Sequence, residues 1–479
     1  MEPISLIILA VYFLMLIGIG LWFSRKQQSV NDFFLAGHSI PAWAAMAAVV
    51  ATETSAVTFI GAPAMTFKEG GDMSFLQVVL GYILARVILS LYFLPKFFSH
   101  EIVTIYSYLG IRFGKKSQKI SGIFFFITRA LASGIRHYAA ALVISSVFGY
   151  DLMTAIILTG LISFVYAALG GISAVIWTEV VQLVVMITGG LLGFYYLLQS
   201  IPGGWPEIME TAHNTGKMVM IHWDWGSDGQ YSLFIGIVAG TCLSLASHGA
   251  DQDLVQRLLS CKSLRSAQSA MVWSGLFVFC QFAFFLFLGI MLFTFFGALP
   301  SEITKTDEIF PYFAAQHMPP WAAGLVIAAI LSAALSSTAS ALNSLSSTSV
   351  NDFVLTILKN PPKGKRLVMI SRCFTVFWMV ILIIIAILAS GSDSILQTGL
   401  TIPGYTSGSL LAAFLLGIFT RFKNETALSI GMFMGVAVVL TISLCGVFWT
   451  WFVPTGALTT ILTAFAIDWF YPNKERELA

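Results

Sequence analysis

Apolar runs of about twenty residues recur along the whole chain, separated by short polar segments. A bilayer core of about 30 Å is crossed by about 20 helical residues at 1.5 Å each, so each run predicts a membrane-spanning helix. Thirteen spans are predicted, at 4–23, 41–65, 73–95, 119–147, 151–169, 172–200, 232–250, 269–298, 320–346, 368–390, 395–419, 426–447 and 450–470. None shows the ten-residue alternation of a membrane β-barrel. The fold class is therefore all-α and polytopic.

Placement of basic residues orients these spans. Cytoplasmic segments of helical membrane proteins are enriched in Lys and Arg. With an outside N-terminus, eighteen basic residues fall in cytoplasmic segments, among them Arg25, Lys26, Lys96, Arg112, Lys115, Lys116, Lys119, Lys359, Lys365, Lys474 and Arg476. Only Lys68, Lys217 and Lys305 fall outside. The C-terminus is then cytoplasmic, and the expected location is a plasma or bacterial inner membrane. The first run, Ile4 to Phe23, lacks a basic leader and a cleavage site and reads as a retained helix.

Composition narrows the function classes. The 479 residues are 57% hydrophobic and 10% charged, against about 25% charged in soluble domains. No hydrophilic piece is long enough for a catalytic domain, so the work is expected inside the membrane and not as an enzyme. Nucleic acid is not an expected partner; lipid and a small solute are. The five cysteines are scattered, with no paired spacing for a disulfide framework or metal cluster.

Three spans are interrupted by polar residues. The stretch VVATETSAVTF, 49–59, puts Thr52, Glu53, Thr54, Ser55 and Thr58 in mid-span. A charge there costs about 2.5–3.5 kcal/mol. The seventh span carries Gly240, Ser244, Ser247, His248 and Gly249, and the ninth carries Ser336, Ser337 and Ser340. Broken membrane helices are tolerated where they line a cavity or are buried in protein. Their carbonyls and hydroxyls form the hard-oxygen set that Na⁺ requires. The second and seventh spans are five apart, the placement expected of two inverted five-helix repeats. For any single Ser, close helix packing explains the residue equally well.

Five pieces in order resemble the sodium/solute symporter family, which includes sodium–glucose, sodium–proline and sodium–sialic-acid cotransporters. They are NDFFLAGHSIPAW (31–43), TIYSYLGIRFG (104–114), GGISAVIWTEVVQ (170–182), DQDLVQRLLSCKS (251–263) and LSSTASALNSLSS (335–347). The resemblance implies a leucine-transporter-type fold forming one transmembrane domain over 1–479. An extra helix at 4–23 precedes repeats at 41–200 and 232–419, and two helices follow at 426–470. It implies a main sodium site at Ala51, Thr54, Ala333, Ser336 and Ser337. A second family site would fall on Glu179, Ser336 and Ser340. Glu179 replaces the family's Asp, and Ala339 stands where a hydroxyl is expected, so one sodium is the expectation. About 100 mV and a tenfold gradient supply roughly 3.7 kcal/mol per sodium.

The solute is expected at mid-membrane. Glu53 and Arg86 lie at similar depth, which predicts an ion pair; Glu53 facing the solute or carrying a proton are the alternatives. Arg129, Ala132 and Arg136 share a helix face. The resemblance places a carboxylate-binding arginine on this helix, and Arg136 is the better candidate, with a structural role for both arginines equally open. Phe75 and Gln77 match the family's substrate pocket; with Glu53, Ser55 and Thr58 they are the candidate substrate residues. The expected function is sodium-coupled symport of a small polar solute by a monomer. An organic anion or acidic sugar is slightly preferred over a neutral sugar or amino acid. Proton coupling through Glu53 is an alternative. A channel or a symporter-like sensor are rivals of another class, the sensor disfavoured because the chain to Ala479 includes no kinase-like domain.

Overall fold

The computed structural model describes residues 3–25, 27–55, 57–223, 231–358, 360, 362–389 and 395–471. Of the orienting basic residues, Lys26, Lys359, Lys474 and Arg476 lie outside them, as does 224–230 of the longest outer segment. Among the described residues the fold is helical, with one isolated bridge between Ile40 and Cys261 in place of any strand.

Among the described residues, nine helices are long and apolar enough to cross a membrane, or eleven if each of two bent pairs is one span. The first is α1, Pro3–Ser24. The second predicted span divides into α2, Ala42–Glu53, a π-helical turn at Val57–Gly61, and α3, Ala62–Phe67. It is followed by α4, Leu76–Ile88, which continues to Ser99. A short helix α5, Ile105–Arg112, leads into α6, Lys115–Phe148. The predicted spans at 151–169 and 172–200 are two helical segments within α7, Leu152–Ser200, divided by a non-helical Gly171. Gly171 has φ +58°, and an added Cβ would lie 2.5 Å from the Phe33 carbonyl oxygen. Only glycine fits a positive φ at that distance.

The second half opens with α8, Leu233–Gly249, and α9, Gln252–Leu259. Then come α10, Leu264–Phe296; α11, Pro320–Thr348; α12, Lys365–Ala389; α13, Ile395–Phe419; α14, Glu425–Leu444; and α15, Phe452–Phe470. Caps set several starts. Asp151, Asp251, Ser263 and Asn424 each accept a backbone N–H of the helix that follows.

One bent pair falls in the second predicted span, with 69° between α2 and the segment from Thr58 to Phe67. The other bends by 62° between α8 and α9, at the end of the seventh predicted span, since α8 runs unbroken through Gly240 to Gly249. At the first, the Thr52 and Thr54 hydroxyls donate back to the carbonyls of Ala48 and Val50 at 2.8 and 2.7 Å. Such back-bonding loosens a helix and bends it. Thr54 then leaves the helical region, with ψ 80°.

Burial separates lipid-facing from protein-facing helices. The apolar window of α1 is 28% buried, whereas that of Pro320–Ile357 is 89% buried. The hydroxyl-rich α11 is therefore the central post, with α7, α1 and α6 packed along it. Trp22, Leu14 and Leu388 point outward, as large apolar residues do towards lipid. Helices α4 and α8 approach backbone to backbone. A Cβ at Gly240 would sit 2.1 Å from the Val78 carbonyl oxygen, the small-residue contact of membrane helix pairs.

Candidate functional site

That close approach brings three polar side chains together at the breaks. Glu53, the last residue of α2, accepts a hydrogen bond from Nη2 of Arg86 on α4. The same Nη2 lies 3.0 Å from Nε2 of His248, near the end of α8. Nη1 donates to the Ser274 hydroxyl at 2.8 Å. Because the guanidinium only donates, His248 Nε2 is the acceptor. Its Nδ1 then carries the proton and donates to Ser247 Oγ at 2.8 Å. Arg86 thus links the ends of both broken helices. Arg86 is fully buried, whereas the Glu53 side chain keeps 16% exposure. Mutual neutralisation offsets the cost of burying the two charges.

A second buried network lies past the α8–α9 break. Arg257 on α9 donates from Nε and Nη2 to the two carboxylate oxygens of Glu179 on α7, at 2.9 and 2.5 Å. It also bonds Ser340 on α11 and the Asp253 backbone oxygen. The Thr52 hydroxyl lies 2.9 Å from Glu179 Oε1, its one proton shared between that oxygen and the Ala48 carbonyl. Arg129 on α6 pairs with Asp253, and with Asp251 at 3.4 Å. Glu179 and Ser340, two of the expected second-sodium residues, are therefore held by a guanidinium. Sequence reasoning missed Arg257 in this position. Its i,i+4 spacing from Asp253 within DQDLVQR is a legible signal; its approach to Glu179 from another helix is not.

The residues expected at the main sodium site lie at the α2–α11 contact. Ser336 Oγ is 3.3 Å from the carbonyl oxygens of both Ala51 and Ala333. The Ser337 hydroxyl turns to Ala334 O at 3.0 Å. The Thr54 side chain pairs with Gln281 on α10, whose Nε2 donates to it at 2.8 Å. Ala51, Ala333 and Ser336 thus converge, with Ser337 and Thr54 beside them. Two carbonyls and a hydroxyl are a hard-oxygen set that fits Na⁺.

The expected solute residues divide into two groups. Ser55 and Thr58 sit half-buried in the first break beside Glu53, where the Thr58 hydroxyl points at the Glu53 carbonyl from 3.5 Å. Phe75 packs on Tyr231 and Phe282, with centroids 5.2 and 5.1 Å away. The Gln77 amide is engaged on both sides. It donates to Tyr231 O at 2.7 Å and accepts from the His222 backbone N–H at 3.1 Å, so it fastens the outer segment to α4. In that segment Lys217 Nζ caps the carbonyls of Thr66 and Lys68, each at 2.7 Å. Burial moves this ammonium pKa below its ordinary value.

Arg136 on α6 stands apart. It shares a face with Arg129 one helical stretch earlier, yet no carboxylate lies within 4 Å of it among the described residues. Its buried Nε has no hydrogen-bond partner.

Two broken helices meeting charged and hydroxyl side chains inside an apolar bundle define a membrane transporter and not an enzyme. The family model described as the sodium:solute symporter family matches residues 33–435, and the chain belongs to that family. It is 29% identical over 448 residues to the sodium/sialic acid symporter NanT of Aliivibrio fischeri, covering 91% of this chain and 87% of that protein. It is 28% identical over 450 residues to the human sodium/iodide cotransporter, covering 91% and 69%. The solved structure of a substrate-bound, outward-open sodium-coupled sialic acid symporter superposes with a TM-score of 0.89 at 25% identity, over 98% of each chain. The fold is of the leucine-transporter type, and the protein is a multi-pass, sodium-coupled solute symporter.

Proposed function

We propose that the solute is an organic anion, an acidic sugar above all, and that Arg136 receives its carboxylate. The observation that carries this is the contrast between three buried arginines and the half-buried Arg136. Arg86, Arg129 and Arg257 each face a carboxylate, whereas Arg136 has none among the described residues. The Arg136 guanidinium has its Nε buried and unpartnered, and its planar fork matches a carboxylate. The two relatives named above carry anions, which supports the same reading. Glu53, Ser55 and Thr58 line the solute side of the first break, with Phe75 and Gln77 closing its outer edge. One sodium sits among Ala51, Thr54, Ala333, Ser336 and Ser337. The repeats span 41–200 and 232–419, flanked by 4–23 and 426–470. The N-terminus is outside, the C-terminus is cytoplasmic, and the monomer is the working unit.

The partial exposure of Glu53 favours a second reading, a zwitterion or polyol bound to that carboxylate. Thermal unfolding of the purified chain against acidic sugars, monocarboxylates, neutral sugars and amino acids, in sodium and in potassium, separates the two. A ligand at 100-fold its Kd stabilises by about 2.7 kcal/mol. An acidic sugar that stabilises only with sodium, and no longer does so in Arg136→Ala, supports the anion reading. Stabilisation by neutral compounds alone, lost in Glu53→Gln, overturns it.

A further inference from the structure

The buried carboxylates of the two networks described above each face an arginine; Asp352 does not. It sits just beyond α11 in a π-helical turn, Ser349–Val354, fully buried, with no basic side chain within 4 Å among the described residues. Its Oδ1 is saturated. It accepts from Thr104 Oγ1 at 2.6 Å, Gln118 Nε2 at 2.7 Å and Ser107 Oγ at 3.1 Å. Three donors on one oxygen favour the ionised carboxylate, while burial without a counter-charge works against it. Its Oδ2 is buried with no hydrogen-bond partner.

Two more buried hydroxyls without partners lie on the two helical segments that meet there. Thr348 lies one turn earlier on the same helical face, and Ser121 lies one turn beyond Gln118 on α6. The helices meet there: a Cβ at Gly122 would fall 2.9 Å from the Phe353 ring and 3.5 Å from the Thr348 methyl. A buried charge without a partner costs several kcal/mol, and π-turns recur at functional sites. One carboxylate ringed by hydroxyl oxygens is a hard set carrying one negative charge. That suits a monovalent cation, whereas a divalent ion draws several carboxylates. Among the described residues no group of three or more His, Cys, Asp or Glu offers that alternative.

We propose that Asp352, with Thr104, Ser107, Ser121 and Thr348, forms a second sodium site, separate from Ala51 and Ser336 and from Glu179. It rests on the sodium-coupled reading of the chain. The segment that builds it also touches the second helix break. Gln252 of α9 accepts from the Ile105 N–H at 2.9 Å, and Tyr106 donates to Ala250 O at 3.2 Å. Occupancy at Asp352 is thereby mechanically joined to the α8–α9 bend.

The test is equilibrium binding of radioactive sodium to the purified full-length chain, with choline as the replacement ion. Two sodium ions are expected per chain, one of them lost in Asp352→Asn and the other weakened about tenfold in Ser336→Ala. The double variant Ser121→Ala/Thr348→Ala keeps the carboxylate, and its second sodium should weaken about tenfold or more. Should Asp352→Asn misfold, that double variant decides alone, and an unchanged sodium titration there overturns the proposal. Unchanged sodium binding by folded Asp352→Asn overturns it as well. So does a carboxylate that takes only a proton, seen as altered pH dependence with sodium unaffected. Absence of sodium binding to the unchanged chain would instead sink the sodium reading itself.

Discussion

Arg86 has three partners and no exposure, so what it touches decides its effect. Glu53→Gln removes its only carboxylate and leaves a buried guanidinium without a counter-charge. Losing one member of such a pair costs about 3–5 kcal/mol. A lower melting temperature is expected for Glu53→Gln, with much of the loss recovered in Glu53→Gln/Arg86→Gln; a double variant as unstable as the sum would contradict the pairing. Ser336 acts differently, because its hydroxyl joins two carbonyls across helices. Ser336→Ala should weaken sodium binding about tenfold, about 1.4 kcal/mol, with little change in folding; tryptophan fluorescence during sodium titration checks it. Depth along two neighbouring spans was enough to bring Glu53 and Arg86 together on paper. The Arg257–Glu179 contact was illegible, because no spacing within one helix encodes which distant helix it meets.

Among elements, the two breaks and the glycine contact between α4 and α8 depend on one another. Without that contact Arg86 could not reach His248. Gly240→Leu should disrupt the helix pair, since a Cβ there already overlaps the Val78 carbonyl. Gly18→Leu, with nothing within 4 Å of its added Cβ, is the matched control. Loss of a monodisperse, melting protein in the first and not the second is expected; equal stability would contradict the close packing. Most of the spans were legible because apolar length is a strong signal, with nine to eleven long apolar helices among the described residues against the thirteen expected. Legible too was the division of Leu152–Ser200 at its paired glycines. The backbone is helical on both sides of Gly171, whose own φ +58° and ψ −156° lie outside the helical region. Helix α6 carries Arg129 and Arg136 within its length and is absent from the nine that pass on length and apolarity.

For the whole molecule, orientation and energy supply are linked. Sodium entering from outside contributes about 1.4 kcal/mol per tenfold gradient. A monoanion that travels with one sodium moves no net charge, so the potential adds nothing to that pair. The expected orientation places Ser301 outside and Lys365 inside. In intact cells an impermeant thiol reagent should label Ser301→Cys and not Lys365→Cys, in a background without exposed native cysteines; the reverse pattern would invert the topology.

The most direct measurement is initial uptake of a radiolabelled acidic sugar into proteoliposomes under an inward sodium gradient, with choline and with a proton gradient as the alternatives. Sodium should accelerate uptake tenfold or more, and Arg136→Ala should abolish the gain while the protein still melts normally. Equal uptake in choline, or uptake driven by protons alone, would contradict sodium-coupled anion symport.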